Sequence, residues 1–426
     1  MVLVERNRSH GVAIGFEELM ENKHPLHVLI VFHTSFPGIK GGINKMIATL
    51  AEAWSEKGHK VSILSPGDWE DRYWSSRYYG AVAVHRQRMR TPWDAKKPLR
   101  GFLGWLWEFP QVFLRLWRFV KDEKVDIIHL HTPREYQYWI LLLSLVGGPP
   151  YVLTFHGTDA LHFSTGRAKN MWLLKWIAKG ARGRTAVAYH YATLIEQHHP
   201  GLIPVRTIPN GIAVASATAD GECHEEVCAV HLPDVFFIQV GWVEPPKGQD
   251  VAIRAWGALK KLHPDCHLLI IGDEPFLRPG EPCYPGYRQQ MTAMMTELGL
   301  QETVHLTGAI EPVTLQAIMK KARGLVFPSH REGMPYVLLE AGLLGLPVVC
   351  SDIPAFQELI DHGYTGYLVP QGDHEAWALA VARLLRDETM ARTMGANLQR
   401  MIIRYHDAAV MARRYTDLFS DLLCAL

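Results

Sequence analysis

A chain of 426 residues, 48% of them hydrophobic, can build two or three cores, and its formal net charge of +1 leaves no basic excess for bulk nucleic-acid binding. The six cysteines follow no disulfide-framework spacing, which fits a reducing, cytoplasmic setting. The first residues carry charges where a signal peptide needs an apolar centre, and no uncharged apolar stretch reaches the roughly 18 residues of a membrane span.

Residues 1–24 read as a polar extension. LHVLIVF (26–32) is an apolar run of the kind buried on both faces of a parallel sheet. HTSFPGIKGG (33–42) is a glycine-rich loop, after which Ile43, Met46, Ile47, Leu50, Ala51 and Trp54 repeat at helical spacing. Gly58 stops that helix, and KVSILSP (60–66) is the next strand. VDIIHLHTP (125–133) is a strand and loop leading to a Trp- and Leu-rich helix. YVLTFHGTDA (151–160) is a strand ending in a polar loop, and AVAYH (186–190) and VRTIPNGI (205–212) are shorter strands. Residues 213–232 lack periodicity and read as a linker.

A second series follows. VFFIQVG (235–241), CHLLIIGDEP (266–275), VHLTG (304–308), GLVFPS (324–329) and LPVVCSD (346–352) are strands, separated by helices over 249–262, 288–300, 313–322 and 335–345. Helices fill the rest to Leu426. Strand and helix alternating twice over predicts an α/β chain of two Rossmann-like doubly wound domains, 25–212 and 233–402, facing each other across a cleft. Ligands of such sheets sit outside the carboxyl ends of the strands.

Two glutamates stand on the approach to an apolar helix, in PSHREGMPYVLLEAGLLGLPVV (328–349). Glu332 lies in the loop after a strand, Gly333 permits close approach of a ligand, and Pro335 suits the first helical position. The free N–H groups of the helix start suit an anion or sugar hydroxyls. Glu340, about one and a half turns on, sits among Val337, Leu338, Leu339, Ala341, Leu343 and Leu344, where a carboxylate needs a partner or a ligand. Two carboxylates so placed can meet different hydroxyls of one elongated ligand.

Glu332-Gly-Met-Pro-x4-Glu340 resembles the Glu-x7-Glu signature of glycosyltransferase family 4, retaining enzymes of the GT-B fold that use nucleotide sugars. The resemblance runs from about Leu26 to the last helix and is densest over 327–370. It implies that Glu340 binds the donor ribose and that Glu332 binds the donor sugar, with backbone N–H groups of Gly333 and Met334 beside it and Pro335 at the helix entry. It implies that Lys247 neutralises the diphosphate leaving group, where charge develops. Gly41 and Gly42 resemble the loop that approaches the phosphates, His156 the histidine near the reacting carbon, and Asn210 the hinge-side asparagine. Gly272 opens the Gly-Asp-Glu-Pro loop, and backbone and apolar groups near Gly308 and Ile310 would meet the base.

Three positions depart from the family pattern. Trp242 stands where many members carry a diphosphate-binding arginine, which leaves Lys247 alone or helped by Arg331 or Arg278. Ala213 replaces a common aspartate, and Glu274 a common glycine.

By the same resemblance the chain is a hexosyltransferase of cell-surface polysaccharide or glycoconjugate synthesis, acting on a glycan or lipid-linked acceptor. The segment from about residue 403 to 426 would cross back onto the N-terminal domain. No Asp-x-Asp motif is present to hold a metal, so neither a metal nor another cofactor is expected. A non-catalytic nucleotide-sugar-binding scaffold is the alternative. A nicotinamide oxidoreductase lacks its Gly-x-Gly-x-x-Gly here.

Three other features carry expectations. Trp105, Trp107, Trp117, Phe102, Phe109 and Phe113, with Lys96, Lys97, Arg100, Arg115, Arg118 and Lys121, suit a peripheral contact at the inner membrane face through 98–119, or an amphipathic helix packed on the sheet. Of His129 and His131, one lines the acceptor cleft or both are core residues. Cys223, His224, Cys228 and His231 are spaced too loosely for a good zinc site and fit a variable linker better.

Overall fold

The computed structural model describes residues 24–32, 41–66, 74–92, 98–214, 232–278 and 281–425. Residues 1–23, loop residues 33–40, Lys96, Lys97 and the Cys223/His224/Cys228/His231 cluster lie outside the described residues, as does the side chain of Arg278.

Strands β1 (His27–Val31), β2 (Lys60–Pro66), β3 (Ser75–Tyr79), β4 (Val82–Gln87), β5 (Ile127–His131), β6 (Tyr151–Phe155), β7 (Gly183–Ala186) and β8 (Val205–Thr207) form one sheet in the order β3-β4-β2-β1-β5-β6-β7-β8. Neighbours are parallel except for the antiparallel edge pair β3–β4. Strands β9 (Phe236–Val240) and β10 (His267–Ile271) begin the second half, followed by a small hairpin, β11 (Phe276–Arg278) and β12 (Glu281–Pro282). With β13 (Val304–Gly308), β14 (Gly324–Phe327), β15 (Val348–Ser351) and β16 (Tyr367–Val369), they make a parallel sheet in the order β13-β10-β9-β14-β15-β16. This is the doubly wound α/β architecture that alternating apolar runs and amphipathic helices dictate.

Strand order reverses between β1 and β5 in the first sheet and between β9 and β14 in the second. Loops from such neighbours diverge, one to each face, and leave a crevice at the carboxyl ends.

Helix Glu388–Tyr405 packs on helix Tyr336–Leu343, where Gly342 admits Leu398 and Ile402; a Cβ at 342 would lie 2.7 Å from Ile402 Cγ1. The chain then returns to the first sheet. Helix Ala408–Cys424 lies along helix Gly42–Glu56, and Trp54 Nε1 donates to the Ala412 carbonyl at 3.1 Å. The two crossings of the chain are stitched together: Ile212 N donates to His406 O at 2.8 Å, and Ala408 N to Ile212 O at 2.9 Å. One apolar cluster spans both halves, from Ile47 and Leu50 through Ile208 and Ile212 to Tyr336 and Leu339.

Three local expectations are corrected, and one element is added. The hairpin β3–β4 was not legible, because its outer strand, SSRYY, is polar and exposed. AVAYH is not one strand: β7 ends at Ala186 and helix Tyr189–His198 begins. That helix start is capped from the other half of the molecule, with Glu358 accepting from Tyr189 N (2.7 Å) and His190 N (2.8 Å). Pro335 is the residue before the first helical turn, in extended conformation, rather than its first residue. The C-terminal stretch also contains β16, too short at three residues to show a period.

Candidate active site

The loops after β9 and β14 close on each other at the second switch point. Gly248 makes this possible. It is left-handed at φ 66°, and a Cβ would lie 2.1 Å from the Pro328 carbonyl. His330 N donates to Pro246 O at 2.8 Å, zipping the two loops. The zip presents Lys247 to Glu332, and Lys247 Nζ donates to Glu332 Oε1 at 2.7 Å. Burial works to strip the Lys247 ammonium of its proton. The Glu332 carboxylate, with help from Glu244, outweighs that and moves its pKa upward, so Lys247 is a firm cation. Glu244 lines the same cleft, and burial raises its pKa.

Gly333 meets the first sheet backbone to backbone. A Cβ at 333 would sit 1.8 Å from the His156 carbonyl, and one at Gly157, whose φ is +151°, would sit 3.1 Å from Gly333 Cα. Tyr191 adds a bond across the same seam, its hydroxyl donating to the Glu332 carbonyl at 3.0 Å. The signature loop therefore lies on the loop after β6. There Asp159 accepts from His156 N (3.0 Å) and Gly157 N (2.7 Å) and holds the turn. His156 Nε2 lies 2.9 Å from His131 Nδ1, so one imidazole orients the other.

The two halves enclose a cleft of about 880 Å³. Its lining includes His156 and Thr132–Tyr136 from the first half and Lys247, Arg331, Glu332 and Gly333 from the second. Most cleft residues from the first half follow β5 and β6, at the carboxyl edge of that sheet, with Ile43 after β1 and Thr91 after β4. Glu340 lies further down helix Tyr336–Leu343 and faces helix Gly42–Glu56. Lys45 of that helix forms an ion pair with it. Gly42 opens the same helix, where an added Cβ would be 3.8 Å from Tyr336 Cβ, and Gly41 precedes it with no atom near.

The other expected residues fall into two groups. Gly272 and Gly308 sit at the carboxyl ends of β10 and β13, with Gly272 N donating to Gly308 O at 2.9 Å. A Cβ at Gly272, φ +150°, would lie 1.8 Å from Gly241 O, so glycine is required there. Ile310 packs against the shared apolar cluster. Asn210 and Met334 join the halves: Asn210 Nδ2 donates to the Met334 carbonyl at 3.0 Å, and the Asn210 carbonyl takes His406 Nδ1 at 3.1 Å. The Asn210 side chain is thus spent on the joint between the halves. His129 is a core residue, bonded to Thr154 Oγ1 at 2.7 Å and packed against Trp54 and Tyr415. Its burial, and then the charge of His156, hold its pKa well below the usual histidine range.

Sequence reasoning missed Lys45, Glu244 and Tyr336. Lys45 looked like an ordinary helix-surface lysine, and its partner stands 295 residues away. Tyr336 was only part of an apolar run, yet its buried hydroxyl lies 2.9 Å from Thr49 Oγ1 and 2.5 Å from the Gly211 carbonyl.

Helix Pro98–Asp122 divides its aromatics. Val112, Leu116 and Val120 are buried, and Trp105, Phe109 and Phe113 pack on the same cluster. Leu103, Leu106 and Trp107 face outward, Trp107 at 78% exposure. Arg115 points inward and donates to Gln87 Oε1 at 2.9 Å. On helix Met171–Gly180, which contributes to the same cluster, Trp176 is 67% exposed. Among the described residues no helix is long and apolar enough to cross a membrane.

Comparison with known proteins finds relatives along most of the chain. The pattern described as Glycosyltransferase Family 4 matches residues 40–216, and that described as Glycosyl transferases group 1 matches residues 229–401. A phosphatidyl-myo-inositol mannosyltransferase of Mycobacterium leprae is 27% identical over 90% of this chain and 94% of its own. An Escherichia coli UDP-Gal:alpha-D-GlcNAc-diphosphoundecaprenol alpha-1,3-galactosyltransferase is 25% identical over 73% and 79%. Among solved structures, Anabaena HepE in complex with UDP and glucose superimposes with a TM-score of 0.70 at 16% identity, covering 92% of this chain and 99% of that one. A sucrose-phosphate synthase of Thermosynechococcus elongatus does so at 0.71 and 20% identity, covering 94% and 100%.

Proposed function

Since the chain belongs to the group 1, family 4 glycosyltransferases of GT-B fold, and is a hexosyltransferase, we propose that it moves a hexose from a nucleoside diphosphate sugar to a lipid-linked or glycan acceptor with retention of anomeric configuration. One observation carries the donor reading. Lys247 and Glu332 form a largely buried cation–carboxylate pair at a strand switch point, and Glu340 lies further along the helix that follows. Glu340 takes the ribose hydroxyls. Lys247, with Arg331 beside it in the cleft lining, neutralises the departing diphosphate without a metal ion. Glu332 takes hydroxyls of the sugar and keeps Lys247 protonated. His156, oriented by His131, points its polar edge at the reacting carbon. The acceptor enters over Thr132–Glu135 and attacks from the face the diphosphate leaves. The Gly333–Gly157 contact excludes water and so limits hydrolysis.

The lipid-linked acceptor reading draws on the two bacterial relatives, one a phosphatidyl-myo-inositol mannosyltransferase and one a galactosyltransferase acting on a diphosphoundecaprenol-linked sugar. It also draws on the outward apolar side chains of helix Pro98–Asp122 and on Trp176, which suit the inner face of the cytoplasmic membrane. The test is transfer from UDP-glucose, UDP-galactose and GDP-mannose to phosphatidylinositol and to a polyprenyl-diphosphate-linked sugar, in EDTA, with product configuration read by NMR. An α-linked product from one donor, undiminished by EDTA, is expected. A β-linked product, or activity abolished by EDTA and restored by a divalent metal, would overturn this reading.

A further inference from the structure

Glu340 already holds a partner. The ammonium of Lys45, from the first turn of helix Gly42–Glu56, is ion-paired with Glu340 Oε1 and lies 5.7 Å from the centre of the Tyr336 ring. The ring is fixed from below, because the Tyr336 hydroxyl donates to the Gly211 carbonyl and accepts from Thr49. Lys45 belongs to the first half of the molecule and Glu340 to the second, so this pair joins the two halves where their helices pack. It is half-exposed, with the Lys45 side chain 52% accessible, and can exchange.

Vicinal hydroxyls of a ribose bind a carboxylate best through both of its oxygens, and Lys45 occupies one of them. A nucleotide that takes Glu340 therefore releases an ammonium group beside itself. The phosphates hang from the same ribose, so the released group needs only to swing over the sugar ring to reach them. The second half leaves work for it. Lys247 shares its charge with Glu332, the loop that follows β9 carries Trp242 and no cation besides Lys247, and among the described residues Arg331 is the one further cation of this half in the cleft lining.

We propose that Lys45 is a diphosphate ligand supplied by the facing half of the molecule, exchanged from Glu340 to the phosphates when the ribose arrives. The exchange rests on the donor reading above. It lets Lys45, carried by one half, bind a ligand held by the other, so it couples nucleotide binding to the joining of the halves.

Calorimetry tests it with UDP and uridine, and GDP and guanosine, at low and high salt, on the unmodified chain and on Lys45→Met, Lys45→Arg and Glu340→Ala. For the base that binds, Lys45→Met is expected to weaken the diphosphate about tenfold, the scale of one charged hydrogen bond at a half-exposed site. It should leave the nucleoside unchanged or bound more tightly, since a competitor for Glu340 is gone. Lys45→Arg should restore the diphosphate. If nucleoside and diphosphate shift together, or neither shifts, while Glu340→Ala still loses both, the exchange is wrong and the donor site stands. If Glu340→Ala keeps both, the donor site itself is misread, and the exchange falls with it.

Discussion

The wall of the cleft that follows β9 and β14 and the wall that follows β5 and β6 both use loops at strand ends, but they are held in different ways. In the first, backbone meets backbone: Gly248 lies on Pro328, His330 N donates to the Pro246 carbonyl, and a largely buried lysine is locked to a carboxylate. In the second, side chains do the holding. Gln137 Nε2 donates to the Thr132 carbonyl at 2.9 Å, Asp159 ties the 156–157 turn, and Arg134 and Lys169 line the open cleft. Contacts without side chains leave almost no latitude in sequence, which suits a ligand part shared by many substrates. Side-chain contacts can be exchanged one at a time, which suits a variable acceptor.

Four substitutions would break or sharpen that contrast. Lys247→Ala should have the largest effect, lowering kcat/KM about a thousandfold, as loss of a charge aimed at the leaving group does. A loss under tenfold in steady-state kinetics would remove Lys247 from the chemistry.

The joint between the walls should show itself next, through pH. Burial pulls the His406 imidazole down to about 4, with the Asn210 carbonyl opposing, against an ordinary 6.5. The unfolded chain then binds the extra proton first, so stability is complete above about pH 6.5 and falls as pH drops toward 4. The loss is about 3 kcal/mol. Denaturant titrations across that window should show the slope, and His406→Gln should make it shallower while the share of buried His129 remains; an unchanged slope would acquit His406.

Gly333→Ala should follow, at about a hundredfold in kcat, because the collision with the His156 carbonyl displaces the walls by about an ångström. Thermal melting should show the protein still folded. Wild-type turnover would mean that the seam is not closed during transfer. The smallest effect belongs to the side-chain wall. Arg134→Ala should raise the acceptor KM about tenfold, the scale of a charged hydrogen bond, and leave slow hydrolysis of the donor unchanged. Equal loss of both would place Arg134 with the donor instead.

The same contrast explains what could be read from residues alone. Five-residue strands such as HLLII and FFIQV, and the Glu332–Glu340 spacing, are local patterns, and the wall that follows β9 and β14 is built from them. What escaped depends on distance along the chain. Helix Tyr189–His198 starts where it does because Glu358 caps it from the other half. Lys45 acquires its partner only when the halves meet. His129 and His131 share one strand and one face, and the packing of helix Ala408–Cys424 decides that His129 is core while His131 backs His156.

The most direct test of the donor wall is calorimetric titration with UDP, GDP and ADP, without metal, on the unmodified chain and on Glu340→Ala. Tight binding of one nucleotide that the variant loses is the expected result. Binding that survives in the variant, or no binding of any of the three, would contradict the assignment of this wall to the nucleotide.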